Sequence, residues 1–80
     1  MFQAMKMPKL SEASDEYKIV RIRRGVGEQA KQGEVFLDVE TDKGAMEVAF
    51  YLTGVITELN VREGDTVRYN AMLGVVDTPE

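Results

Sequence analysis

One lysine stands out because its neighbours predict that it is displayed rather than buried. Lys43 follows Glu40, Thr41 and Asp42 and precedes Gly44, with strand-like apolar runs on both sides. The segment favours a type I turn, in which glycine is common at the fourth position. A lysine at such a tip has no core to fill, so an enzyme can reach its amine. This arrangement predicts covalent attachment of a prosthetic group rather than catalysis by side chains.

The residue types that most enzymes use are missing. The 80 residues contain no cysteine and no histidine, which removes thiol nucleophiles, imidazole bases and His/Cys metal clusters. The net charge of −4 argues against nucleic-acid binding, which normally uses a basic surface. No apolar run approaches the roughly 20 residues that span a bilayer, and no signal peptide is visible. We therefore expect no catalytic residue, no metal site, and neither a nucleic-acid nor a membrane partner.

The apolar residues are arranged in short runs that are typical of β-strands. These candidate strands cover residues 5–10, 18–22, 35–41, 45–51, 55–61 and 72–76. They are rich in β-branched and aromatic residues and are separated by turn residues, and no window keeps a helical period over three turns. Residues 28–31 could form one helical turn at most. The pattern predicts an all-β sandwich or barrel.

The two halves of the chain repeat one pattern with a spacing of 37 residues. Gly27 aligns with Gly64 and Gly33 aligns with Asn70, so each half has an apolar run, a Gly-acid turn, a second turn residue and another apolar run. A half of this length cannot bury its own apolar face. Two copies packed together can, which predicts two antiparallel sheets related by a pseudo-two-fold axis.

The extent of the domain and one irregular strand can also be predicted. We expect a single domain over residues 1–80, with its core within about residues 5–76 and a terminal tail or the start of a linker at 78–80. Within residues 35–39, strict alternation and the repeat place side chains on different faces. This conflict predicts a β-bulge nearby.

Four motifs along the chain together match a known family. They are Met7-Pro8-Lys9-Leu10-Ser11-Glu12, Gly33-Glu34-Val35, Glu40-Thr41-Asp42-Lys43 and Glu63-Gly64-Asp65-Thr66-Val67. These motifs resemble those of lipoyl domains, the swinging-arm carriers of 2-oxoacid dehydrogenase complexes. The resemblance extends over nearly the whole chain. It implies a flattened β-barrel of two four-stranded antiparallel sheets with internal pseudo-two-fold symmetry.

The resemblance also implies a site and a set of partners. Lipoate would be amide-linked to Lys43, and the attaching enzyme would recognise Glu40, Thr41, Asp42 and Gly44 around it. The loop after the first strand would recognise a partner through Ser11, Glu12, Ala13, Ser14, Asp15 and Glu16. The implied partners are a lipoate–protein ligase or lipoyl transferase, a thiamine-dependent 2-oxoacid decarboxylase, the acyltransferase core and dihydrolipoamide dehydrogenase. The domain would be a non-catalytic monomer in an acyltransferase component, located in a bacterial cytoplasm or a mitochondrial matrix.

Two positions depart from the family pattern. Gly44 stands where the family usually has alanine, and we expect the glycine to loosen the hairpin tip. Phe50 and Tyr51 precede Gly54, where the family commonly has a proline. We interpret these two aromatic residues as extra core or sheet contacts. The alternative interpretation is an exposed apolar patch that docks a partner.

Two other functions stay open at this stage, of which the first is a biotinyl carrier domain of a carboxylase. The segment Ala4-Met5-Lys6-Met7 is similar to a biotin-attachment signature, in which methionines flank the modified lysine, and biotinyl carriers share the lipoyl fold. Position argues against biotin on Lys6, because the modified lysine lies at the central hairpin. Lys43 has no flanking methionines, which disfavours biotin there as well. The other alternative is an unmodified docking module of the same fold, in which Lys43 is an ordinary surface lysine.

Overall fold

The computed structural model describes residues 1–79 and folds them into eight β-strands. The strands are β1 (Phe2–Lys6), β2 (Glu16–Ile22), β3 (Gln29–Ala30), β4 (Val35–Thr41), β5 (Gly44–Ala49), β6 (Gly54–Leu59), β7 (Thr66–Arg68) and β8 (Met72–Asp77). They form two four-stranded sheets, ordered β1-β8-β6-β3 and β5-β4-β2-β7, with antiparallel neighbours throughout. The predicted all-β fold of two such sheets is confirmed. Residues 1–79 contain no helix that is long and apolar enough to cross a membrane.

The first predicted strand is placed wrongly. β1 covers Phe2–Lys6 instead of residues 5–10. The Met7 N–H still bonds to the Ala71 carbonyl at 2.9 Å, but the chain then crosses to the other sheet. Pro8 comes at this point and has no N–H with which to continue a ladder.

Two short strands were not predicted. β3 and β7 contain 2 and 3 residues, which is too short to show a recognisable apolar alternation. The helical turn considered at 28–31 is wrong, because Gln29 and Ala30 lie in β3 and pair with Val55 and Gly54 of β6. These short strands complete the four-stranded order of each sheet.

Hydrogen bonds confirm the predicted repeat. The Gly27 N–H donates to the Ile56 carbonyl at 2.8 Å, and the Gly64 N–H donates to the Ile19 carbonyl at 2.7 Å. Both the donors and the acceptors of these two bonds are 37 positions apart in the sequence. The β2–β4 and β6–β8 ladders also shift register just after Ile19 and Ile56 respectively. The two halves are therefore equivalent in backbone pairing as well as in sequence.

The core lies between the two sheets and contains the predicted bulge. Its most deeply buried side chains are Met5, Met7, Tyr17, Ile19, Phe36, Leu37, Val39, Val48, Ile56, Leu73 and Val76. The β4–β5 register shifts between Val35 and Leu37, so the consecutive Phe36 and Leu37 side chains are both buried. This bulge explains why strict alternation fails in this strand.

The turn at Lys43 lies at one end of a body 37 Å long, and Met1 and Thr78 lie at the other. In β8, Met72 pairs with Lys6, and Asp77, at the other end, pairs with Phe2. A short turn joins the Met72 end of β8 to β7, whose partner β2 lies beside the strand that leads to Lys43. The Asp77 end, where Met1 and Thr78 meet, is therefore remote from the lysine.

The last described residues are fixed to the body. Thr78 is 8% exposed, and both its N–H and its hydroxyl donate to the Met1 carbonyl, at 2.8 and 3.1 Å. Thr78 is thus held against Met1, and the terminal tail or linker start at 78–80 stays a prediction. Pro79 is exposed, and Glu80 lies outside the described residues.

Candidate functional site

Lys43 lies in a two-residue turn between β4 and β5. Thr41 and Gly44 pair across the hairpin, and only Asp42 and Lys43 lie between them. The Thr41 hydroxyl accepts the Lys43 N–H at 3.0 Å and donates to the Gly44 carbonyl at 3.0 Å. Asp42 and Lys43 both have negative φ, which excludes turn types I′, II and II′ and agrees with the type I turn expected from sequence. One threonine side chain therefore holds the turn together.

The amine of Lys43 is accessible. Asp42, Lys43 and Gly44 are all exposed, and within residues 1–79 the Lys43 ammonium forms no ion pair with Glu40, Asp42 or any other carboxylate. At neutral pH a lysine side chain is normally protonated, so acylation needs an enzyme that supplies an activated acyl group and accepts the proton. The hairpin offers such an enzyme an exposed amine that need not be released from an ion pair with any of residues 1–79.

Gly44 has a backbone conformation that is sterically unfavourable for residues with a Cβ atom. Its φ is +109°, which lies in the region that glycine adopts without steric cost. The hairpin therefore requires this glycine for its shape, beyond the added freedom that the sequence predicted. An alanine here would fit only if the local backbone changed.

The variant Gly44→Ala is expected to destabilise the domain by about 1 kcal/mol or more, because alanine opposes the positive φ. For a domain of this size, that loss lowers the Tm by roughly 4–8 °C. Thermal unfolding followed by circular dichroism checks it, with Gly25→Ala as the control, since Gly25 lacks positive φ and has space for a methyl group. An unchanged Tm for Gly44→Ala would show that the turn adopts another shape freely.

A buried tyrosine organises the predicted recognition loop. Tyr17 is 1% exposed, and its hydroxyl accepts the N–H groups of Leu10 and Ser11 at 3.0 and 3.3 Å. The same hydroxyl donates to the Ser14 carbonyl at 2.9 Å. Sequence reasoning missed this role. The available signal was a tyrosine at an inward position of a strand that directly follows a Ser- and Asp-containing loop.

The six predicted recognition residues fall into two groups. Ser11 is 4% exposed and its Oγ accepts the Ala13 N–H at 3.1 Å, while the Oγ of the half-buried Ser14 accepts the Glu16 N–H at 3.3 Å. The exposed members are Glu12, Ala13, Asp15 and Glu16. The serines therefore shape the loop, and carboxylates form most of its outer surface.

The loop and the lysine hairpin lie at the same end of the molecule. The Asp15 carbonyl accepts the Tyr69 N–H at 2.7 Å, which fixes the loop to the turn between β7 and β8. Glu16 begins β2, and Lys18, two residues later, pairs with Glu40 of the hairpin strand. A protein that contacts the loop can therefore also reach the Lys43 side chain.

The variant Tyr17→Phe is expected to loosen this loop while the Lys43 hairpin keeps its shape. Three backbone groups lose their shared partner, which costs about 1–3 kcal/mol. The amide hydrogens of Leu10 and Ser11 should exchange faster with solvent, and those of β4 and β5 near the hairpin should keep their relative protection. Tyr69→Phe is the control, because the Tyr69 side chain is exposed. Unchanged exchange at Leu10 and Ser11 would contradict this role for Tyr17.

The biotin-like segment at Lys6 has a structural explanation. Met5 and Met7 are each 1% exposed and belong to the core. Lys6 is exposed at the end of β1 and is not at a hairpin tip. The flanking methionines are therefore packing residues, and Lys6 lacks the presentation that Lys43 has.

The aromatic pair before Gly54 also makes the contacts that were predicted. Phe50 is 2% exposed and stacks on Phe36, with ring centroids 4.5 Å apart. Tyr51 bonds through its hydroxyl to the backbone of β1. The interpretation as core and sheet contacts is confirmed.

Comparison with known proteins agrees with this geometry. The biotin/lipoyl family, described as "Biotin-requiring enzyme", matches residues 3–76 of the chain. The chain belongs to the biotin/lipoyl family. Among solved structures, this family member is similar to the lipoyl domain of the 2-oxoglutarate dehydrogenase complex from Azotobacter vinelandii, with a TM-score of 0.72 and 34% identity. That match covers 95% of this chain and 98% of the solved one. The protein is thus a lipoyl-type domain, a carrier and not a catalyst.

Curated relatives of this biotin/lipoyl domain are much longer proteins. The dihydrolipoyllysine-residue succinyltransferase component of the 2-oxoglutarate dehydrogenase complex of Staphylococcus saprophyticus is 38% identical over 72 residues. That alignment covers 90% of this chain and 17% of the relative. The protein of the same name from Azotobacter vinelandii is 37% identical over 70 residues, covering 88% of this chain and 18% of the relative. The chain therefore spans less than a fifth of the length of these relatives.

Proposed function

We propose that Lys43 carries lipoate in amide linkage. The observation that carries this proposal is the exposed amine at the apex of a tight β4–β5 hairpin, which has no ion-pair partner within residues 1–79, in a chain that resembles a solved lipoyl domain over 95% of its length. An enzyme can transfer an activated lipoyl group to this amine, which loses a proton as the activating group leaves, and no ion pair with a described residue has to break. The residues that flank Lys43, Asp42 and Gly44, are not the methionines that mark biotin attachment. Lipoate is therefore the group that the site fits best.

The residues around Lys43 present the amine to the attaching enzyme. Thr41 closes the turn through its hydroxyl, so the backbone at Lys43 is ordered before the enzyme arrives. Glu40 and Asp42 are exposed next to the amine and give the approaching enzyme a negative surface to recognise. When attached, lipoate supplies a dithiolane that carries acyl groups and electrons. The chain itself contributes position, solubility and recognition.

The partners follow from the relatives and from the recognition loop. Both described relatives are acyltransferase components of a 2-oxoglutarate dehydrogenase complex, so we assign this domain to a complex of the 2-oxoacid dehydrogenase class. Its partners would be a lipoate–protein ligase or lipoyl transferase, the thiamine-dependent decarboxylase, the acyltransferase core and dihydrolipoamide dehydrogenase. Glu12, Asp15 and Glu16 give the decarboxylase an acidic surface beside Lys43. The cytoplasm or the mitochondrial matrix is the compartment in which such a complex works.

Direct modification in vitro tests this function. The purified domain is incubated with lipoate, ATP and a lipoate–protein ligase, and its intact mass and peptide map are measured. We expect a single lipoyl adduct, and the peptide map should place it on Lys43. A parallel reaction with biotin and a biotin ligase separates the two carrier classes. No lipoyl adduct, or an adduct on another lysine, would reject the proposal; a biotin adduct on Lys43 would support a biotinyl carrier.

A further inference from the structure

The outer edge of β1 makes a side-chain contact that the carrier role does not use. β1 is the terminal strand of its sheet, so half of its backbone groups face away from β8. Among these, the Lys6 N–H donates to the Tyr51 hydroxyl at 2.9 Å. The same hydroxyl donates to the Ala4 carbonyl at 3.1 Å. Free N–H and C=O groups on an edge are the groups through which another strand adds to a sheet.

The Tyr51 hydroxyl replaces one residue of an added strand. A residue that paired in parallel opposite Met5 would donate its N–H to the Ala4 carbonyl and accept the Lys6 N–H through its own carbonyl. A hydroxyl is both donor and acceptor, so a single tyrosine can satisfy both groups. The middle of the β1 edge is therefore already occupied by the chain's own side chain.

The backbone beside Tyr51 is firmly held. The Phe50 N–H donates to the Glu34 carbonyl at 2.8 Å, and the Phe50 carbonyl accepts the Gly33 N–H at 2.9 Å. The Phe50 ring is stacked in the core on Phe36. Tyr51 follows directly, with its ring half exposed and its hydroxyl turned onto the strand edge. The core therefore fixes the backbone from which the Tyr51 side chain reaches the strand edge.

We propose that Tyr51 is an edge guard that prevents a second copy of this chain from pairing with β1. The self-association that it blocks is favourable in other respects. In an antiparallel β1–β1 pair centred on Ala4, Lys6 of each copy would lie opposite Phe2 of the other, so the two lysine charges would not face each other. Phe2 is 69% exposed and would gain a contact. The pair would be isologous, which is the commonest form of homodimer contact.

The variant Tyr51→Phe tests the guard, with Tyr69→Phe as the matched control. Both tyrosines are about half exposed, but the Tyr69 ring lies near the Lys9 ammonium, 5.9 Å from its centroid, and not on a strand edge. Sedimentation over a range of protein concentrations should show self-association strengthened at least about tenfold in Tyr51→Phe alone. At low concentration, where the variant is monomeric, its Lys6 amide hydrogen should exchange at least about tenfold faster than in the wild type.

A second substitution locates the new contact. Adding Ala4→Pro to Tyr51→Phe should return the protein to the monomer, because proline is tolerated on edge strands but cannot donate to an added strand. Self-association of Tyr51→Phe no stronger than that of wild type and Tyr69→Phe would overturn the proposal, as would association that survives Ala4→Pro. If Tyr51→Phe does not fold, hydrogen exchange of the Lys6 amide in the wild type tests the proposal instead. Protection of its Lys6 amide supports the guard, and exchange at the rate of an unbonded amide overturns it.

Discussion

The variant Lys43→Arg is expected to keep its fold and to lose all lipoyl modification. Arginine preserves the positive charge and the long side chain, but its guanidinium is not a substrate for amide formation. Because Lys43 is exposed and forms no ion pair among the described residues, we expect the free energy of unfolding to change by less than about 0.5 kcal/mol. Intact mass after incubation with ligase, lipoate and ATP measures the modification, and thermal unfolding measures the stability.

The matched control is Lys6→Arg. Lys6 is also exposed and lies between two methionines, but it is in β1 and not at a turn. Lys6→Arg should be modified at the wild-type rate. An adduct that persists in Lys43→Arg would show that the geometry of the hairpin does not select the modified lysine. Loss of the adduct in Lys6→Arg would lead to the same conclusion.

The largest loss of stability is expected from Gly54→Ala. A Cβ at Gly54 would overlap the Asp77 carbonyl oxygen and would lie 2.8 Å from the Asp77 carbonyl carbon. These are backbone atoms of β8, so they cannot rotate away as a flexible side chain would. We expect a cost of about 3 kcal/mol, at the upper end for overpacking. For a domain of this size, that loss lowers the Tm by roughly 12–24 °C.

Two further glycines separate this clash from a general effect of alanine. Gly74→Ala should be nearly as costly, because its Cβ would overlap the Glu58 carbonyl oxygen. Gly25→Ala should change the free energy of unfolding by less than about 0.5 kcal/mol, since the nearest atom to its Cβ would be Glu28 Oε1, at 3.6 Å. Equal Tm values for Gly54→Ala and Gly25→Ala would show that β6 and β8 can separate without cost.

The features that sequence predicted well are those encoded by neighbouring residues. The Lys43 turn depends on Thr41, Asp42 and Gly44, which are all adjacent in the chain. The bulge in β4 was predictable because alternation and the internal repeat assigned different faces to the same residues. The repeat itself was visible because positive φ is required at equivalent positions, where Gly27 matches Gly64. Constraints that act on single positions or on adjacent residues can therefore be predicted from the sequence.

The features that sequence could not supply depend on distant contacts. The Tyr51 hydroxyl bonds to a backbone group 45 positions away, and no local pattern indicates such a partner. The role of Tyr17 depends on how the loop from Leu10 folds back over β2. The first strand was misplaced because Met5 and Met7 are both buried, so apolar spacing did not reveal where β1 ends. The Tyr51 contact, the role of Tyr17 and the end of β1 all depend on contacts between segments that only the folded structure brings together.

The hydrogen bond that closes the lysine turn has a counterpart at the other end of the molecule. The Thr41 hydroxyl donates to the Gly44 carbonyl at 3.0 Å, and the Thr78 hydroxyl donates to the Met1 carbonyl at 3.1 Å. The two ends of the barrel thus have equivalent threonine hydrogen bonds. At one end the bonded strands are joined by the Lys43 turn, and at the other the bond joins Thr78 to Met1. A linker that leads into Met1 or continues beyond Thr78 would begin at the end of the molecule opposite Lys43, so the 37 Å body would add to the distance that a group on Lys43 could reach.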